Sequence, residues 1–98
     1  MTMKNPSHPG ELVKANLEDL GVSVAAASKT MQVTRQQLYK IMRGESSITP
    51  DMALRFEQAF GGTADLWLRL QTAYDLAQAR NHGKTPAISR LTDHHAGL

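Results

Sequence analysis

Ninety-eight residues suffice for one domain around a single modest core and leave no room for a separate catalytic lobe. Apolar residues at 41% and charged residues at 20% describe a chain that folds, and the lack of cysteine excludes a disulfide scaffold, a thiol nucleophile and thiolate zinc sites. The net charge of +2 hides an uneven distribution: no acid lies between Asp19 and Glu45, and Lys29, Arg35, Lys40 and Arg43 all fall in that interval. A local positive patch is what a phosphate-facing surface requires, although a solvated helix face can share its composition.

Periodicity and punctuation predict an all-α domain of five short helices over residues 1–81, followed by a weakly apolar C-terminal tail, 82–98. The first helix spans Pro9 to Leu20, with Leu12, Ala15, Asn16 and Leu20 on its inner stripe and Gly21 as a left-handed stop. Ser23 caps the second, which runs to about Met31, and its alanines permit close helix approach. Thr34 caps the third, Arg35 to Arg43, which Gly44 ends. Thr49 and Pro50 open the fourth, closed by Gly61 and Gly62. Thr63 caps the longest, 64–81, whose inner stripe reads Leu66, Leu70, Ala73 and Ala77 with Trp67 and Tyr74 beside it. No secretory h-region follows the start and nowhere do about 18 apolar residues run together, so a cytoplasmic chain without a membrane span is expected.

The stretch 24–44 has the spacing of a helix-turn-helix, with Gln32 and Val33 as the turn. At 100° per residue, Leu38, Ile41 and Met42 point one way while Gln36, Lys40 and Arg43 point the other. The free face has the chemistry of base and phosphate contact: glutamine pairs bidentately with adenine, Lys and Arg suit guanine or phosphate, and Tyr39 adds a phosphate bond or a stack. Thr34 and the amide groups at the helix start suit a phosphate. The expected DNA contacts are therefore Ser23, Lys29, Thr34, Arg35, Gln36, Gln37, Tyr39, Lys40 and Arg43.

The segments "NPSHPGELVKANLEDLGVSV", "VTRQQLYKIMRG", "ITPDMALRF" and "DLWLRLQTAYDL", in that order and spacing, resemble the HigA-type (VapI-like) antitoxins of the Cro/repressor helix-turn-helix superfamily over about residues 6 to 81. The resemblance implies a compact, lambda-repressor-like five-helix bundle that dimerises, represses its own operon and binds a small ribonuclease toxin. Two positions depart from the superfamily pattern. Val24 stands where a phosphate-binding Gln is common, and Gln32 where the turn commonly has Gly. Ser28 stands where alanine is usual and is small enough to preserve close helix packing.

Reading only a few base pairs, one short recognition helix needs a two-fold partner, so a homodimer on inverted-repeat double-stranded DNA is expected. The last helix shows more apolar circumference than one core can cover, so part of the surface around Trp67, Leu68, Gln71, Tyr74 and Leu76 is expected to form the dimer contact, with filling of the core beneath the first helix as the alternative for Trp67. Electrostatic complementarity to a basic toxin points to Glu11, Glu18 and Asp19 on the first helix, although acids that merely keep a surface helix soluble would read the same. A stand-alone phage-like repressor and a protein-interaction module that does not read DNA remain open alternatives.

Enzymatic chemistry is not expected. His8, His82, His94 and His95 lie in or near the tails, and Asp93-His94-His95 offers only adventitious metal capture. Asp51, Glu57, Asp65 and Asp75 sit in first helical turns or on solvent faces, where capping and dipole complementation account for them. No cofactor motif is present.

Overall fold

The computed structural model describes residues 5–83 and 85–92 and, among them, consists of five α-helices with no strand: α1 (Gly10–Leu20), α2 (Val24–Met31), α3 (Arg35–Met42), α4 (Pro50–Phe60) and α5 (Ala64–His82). The caps expected from sequence form. Side-chain oxygens of Ser23, Thr34, Thr49 and Thr63 accept from the backbone N–H groups of Ala26, Gln37, Met52 and Leu66, satisfying donors that a helix leaves unpaired at its start. Gly21 ends α1 in the left-handed region at φ 67°, where a Cβ would be strained. Residues 85–90 have no regular structure, and Ile88 and Leu91 in this part of the chain are exposed.

All five helices and the loop before α4 supply the core: Val13, Leu17, Ala27, Met31, Leu38, Ile41, Ile48, Met52, Ala53, Phe56, Ala64 and Trp67. Trp67 packs at 4.9 Å from Phe56, with Phe60 6.0 Å away. Such aromatic packing bonds α4 to α5 and adds about 0.5–1.5 kcal/mol per pair beyond the buried area.

Two faces differ from the sequence expectation. In α1 the inward residues are Gly10, Val13 and Leu17, while Leu12 and Leu20 are 38% and 60% exposed. The helix is turned by about one residue, or 100°, because Gly10 lies against the backbone of Ile41 in α3, where any larger residue would collide. In α5 the buried residues are Ala64, Trp67, Gln71 and Ala77, and Leu66 lies outside at 44% exposure. Trp67 has the largest apolar surface on α5, and its burial against Phe56 sets the rotation of the helix.

The dimer assignment changes with it. Trp67 and Gln71 are core residues of the single chain, not surface groups. The Gln71 carboxamide accepts from the Ile48 backbone N–H at 2.8 Å and donates to Asp75 at 3.0 Å, tying α5 to the loop that follows α3. Leu68 is half-buried against the core and Tyr74 lies edge-on to the His8 ring at 4.9 Å. Of the five residues assigned to that contact, Leu76 alone is fully on the surface.

The segment before α1 is part of the fold. Pro6, His8 and Pro9 are buried, and Asn5 accepts a hydrogen bond from Asn81 near the end of α5. The Nδ1 atom of His8 accepts from the Gly10 N–H at 2.9 Å, so the ring is held neutral at that nitrogen. Burial lowers the His8 pKa below its ordinary value, opposed by Asp75, a hydrogen bond to the Ser46 backbone and Glu11.

Candidate nucleic-acid interface

Helix α3 forms because its ends are set locally and its inner face is apolar. Thr34 and Gln37 make a reciprocal capping box: Thr34 Oγ1 accepts from the Gln37 N–H at 3.0 Å, and Gln37 Oε1 accepts from the Thr34 N–H at 2.9 Å. Leu38 and Ile41 are buried and Met42 half-buried, anchoring the helix against α1 and α2. Full burial of a leucine side chain stabilises by about 1.5–3 kcal/mol.

The opposite face is open. Arg35, Gln36, Tyr39, Lys40 and Arg43 are all exposed. Arg43 bridges to Glu45 at 2.9 Å and lies 5.8 Å from the Tyr39 ring centre. Both members of that bridge are more than half exposed, so the pair is worth about 0–1 kcal/mol and yields readily to a competing phosphate. Three expected contacts also have structural work. Ser23 and Thr34 spend an acceptor lone pair on their caps, and the Gln37 carbonyl oxygen is committed to the capping box. The hydroxyl protons of Ser23 and Thr34 can still be offered to an anion, Thr34 at the expense of its bond to Gln37. Lys29 is exposed in the last turn of α2, where its charge also complements the helix dipole.

The helix starts themselves are electrostatically distinct. The first turns of α1, α4 and α5 contain Glu11, Asp51 and Asp65, whereas those of α2 and α3 contain no acid. Their partial positive charge is therefore left for an external anion rather than cancelled by a carboxylate.

Between α2 and α3 the chain turns at Gln32, with φ 57° and ψ 46°, a left-handed conformation at the position where the superfamily commonly has Gly. It is the one non-glycine residue with positive φ among the described residues. Ser28 keeps the contact close, as its size predicts, burying its side chain and donating its hydroxyl to the Ala25 carbonyl at 2.9 Å. Sequence reasoning misses Arg55 of α4, whose guanidinium reaches back to the Met31 and Gln32 carbonyls. Its i, i+4 spacing from Asp51 is a visible signal for an ion pair, but not for that reach across the fold.

Among the described residues no three His, Asp or Glu side chains come together as a metal site, and no helix is long and apolar enough to cross a membrane. The Asp93-His94-His95 cluster lies outside the described residues.

Two short helices joined by a tight left-handed turn, the second presenting a free cationic and amide face, define a helix-turn-helix protein. The chain belongs to the helix-turn-helix family, whose sequence model matches residues 13–67. Its likenesses within the family include HigA-type antitoxins, virulence-associated proteins and HTH-type transcriptional regulators. It is 43% identical over 77 residues to virulence-associated protein A' of Dichelobacter nodosus, a match covering 78% of this chain and 67% of that one. The structure superimposes with TM-score 0.74 and 34% identity on an addiction module antidote protein of the HigA family from Coxiella burnetii, covering 85% and 99% of the two chains. The Pseudomonas aeruginosa antitoxin HigA, solved with the higBA promoter, matches with TM-score 0.75 and 30% identity over 86% of this chain and all of that one.

Proposed function

We propose that the chain is a sequence-specific DNA-binding antitoxin that represses its own operon as a dimer and neutralises a small ribonuclease toxin by direct binding. The observation that carries the DNA reading is the pairing of an open Gln36–Lys40–Arg43 face with two acid-free helix starts. Phosphates dock at the starts of α2 and α3 and orient the protein, and Gln36 and Lys40 then read base edges in the major groove. The P. aeruginosa relative, solved with the higBA promoter, supports DNA binding as such.

In the dimer reading, the outer face of α5 carries the contact, now centred on Leu66, Ala73 and Leu76, which share one exposed stripe. For the toxin, Glu11, Glu18 and Asp19 are exposed and form no ion pair among the described residues, leaving an acidic surface for a basic partner. The tail has the opposite charge, with Lys84 and Arg90 against Asp93.

A salt titration tests the DNA reading. Binding to a duplex taken from upstream of the gene should weaken steeply and linearly in log–log form as phosphate-bound counterions are released. A pure protein-interaction module would show no such slope. For the toxin, reversing Glu18 and Asp19 to Lys should slow association with a ribonuclease encoded beside the gene while operator binding stays intact. Loss of neutralisation on deleting residues 83–98, with no effect of the reversal, would move the contact to the tail.

A further inference from the structure

The structure assigns Arg55 a positioning role: its guanidinium holds the α2–α3 turn closed and thereby sets the angle at which α3 is presented. The consequence for DNA rests on the function proposed above, whereas the contact itself stands on geometry.

At the end of α2, the Gln32 N–H bonds to the carbonyls of Lys29 and Ser28, and the Val33 N–H bonds to Ser28 at 3.0 Å. Further along, the carbonyls of Met31 and Gln32 lie beyond the reach of the helix's own donors. Arg55 supplies them from the first turns of α4: Nη1 donates to the Met31 carbonyl at 2.6 Å and to the Gln32 carbonyl at 3.3 Å. Its Nε donates to Asp51 Oδ2 at 2.9 Å, which fixes the plane of the fork. With its side chain 32% exposed, the cation sits at the negative end of α2, where such hydrogen bonds are less screened than on an open surface.

A turn at this position needs holding. Gln32 occupies a left-handed conformation that glycine adopts freely and that a Cβ disfavours. Thr34, two residues on, begins the capping box of α3, so a rotation at Gln32 is transmitted directly to the start of the recognition helix. Phosphate contacts position a reader only if α2 and α3 keep a fixed mutual angle. The competing role, a direct phosphate contact by Arg55, fits poorly with a guanidinium turned onto two carbonyls and flanked by a carboxylate.

The experiment compares wild type, Arg55→Gln, Arg55→Lys, Gln32→Gly and the Arg55→Gln/Gln32→Gly pair. It measures affinity for the upstream duplex over a range of salt, and amide hydrogen exchange at Val33. Arg55→Gln should weaken binding and speed Val33 exchange by about tenfold, the effect of losing a charge-assisted bond to the turn. The salt slope should not change. Arg55→Lys, which keeps the charge but not the fork, should behave like Arg55→Gln. Gln32→Gly should recover most of the lost affinity in the Arg55→Gln background and alter wild type less than about twofold. A salt slope reduced by about one with no glycine rescue would make Arg55 a phosphate contact and overturn the inference. Unchanged exchange in both Arg55 variants would do the same. A wild-type chain that binds no DNA would refute the proposed function, leaving Val33 exchange to decide the role of Arg55 alone.

Discussion

Replacing Gly10 with alanine should damage the fold more than any other loss or gain of a single methyl group in α1. A Cβ built at this position lies 1.8 Å from the carbonyl oxygen of Ile41 and 2.7 Å from its carbon. Both atoms are backbone, so no rotamer change relieves the clash. Helices α1 and α3 would have to part by about 1.2 Å, the difference between the 1.8 Å contact and a tolerable 3.0 Å. Overpacking in cores costs about 1–3 kcal/mol, and a backbone clash belongs at the upper end. The gain in helix propensity of alanine over glycine offsets at most about 1 kcal/mol. A net loss of about 2 kcal/mol translates to a fall in Tm of roughly 8–16 °C for a domain of this size. Thermal unfolding followed by far-ultraviolet circular dichroism measures it. Because Ile41 lies in α3, operator affinity should fall even where the variant is fully folded. A Tm within about 2 °C of wild type, well below the shift expected per kcal/mol, would refute the claim that this contact sets the packing of α1 on α3.

Two further perturbations follow from the hydrogen bonds. Thr34→Ala removes the hydroxyl that caps α3 and leaves the Gln37 backbone N–H without its acceptor, so a loss of about 1–2 kcal/mol is expected in denaturant unfolding. His8 should make stability depend on pH. Its folded pKa lies below the ordinary value near 6.5, so the native state resists protonation while the unfolded chain accepts it. The contribution is complete above the unfolded value and is lost as pH falls through it towards the lower folded value. The surrounding Asp75, Glu11 and Ser46 backbone moderate the loss without reversing it. Denaturation midpoints at pH values of about 7.5 and 5.0, on either side of the ordinary histidine range, should separate more for wild type than for His8→Asn, whose oxygen can replace the Nδ1 acceptor without titrating. Equal separations would remove His8 as the cause.

Capping residues make most of the fold legible in the sequence. Ser23, Thr34, Thr49 and Thr63 are local signals, and each caps the helix that follows it. The outer face of α3 is equally legible, because its apolar residues, Leu38, Ile41 and Met42, lie close together on the wheel. The faces of α1 and α5 are not. In α1, Leu12, Val13, Leu17 and Leu20 permit two neighbouring stripes, and the choice between them depends on Gly10 meeting Ile41, a contact between distant segments. In α5 apolar residues occur on nearly every side, so periodicity does not decide, and the aromatic cluster with Phe56 and Phe60 does. Gln71 reads as a surface residue by type, yet the Ile48 N–H in the loop before α4 gives it a buried partner. Arg55 escapes a sequence reading for a similar reason: its acceptors lie 23 and 24 residues away along the chain.

The claim that the open face of α3 reads DNA is tested most directly by fluorescence anisotropy titrations of wild type and Gln36→Ala against the upstream duplex and a scrambled duplex of equal composition. The account predicts that wild type prefers the upstream sequence, and that Gln36→Ala loses about 1–3 kcal/mol on it while binding the scrambled duplex nearly as before. An unchanged ratio of the two affinities in Gln36→Ala would contradict it.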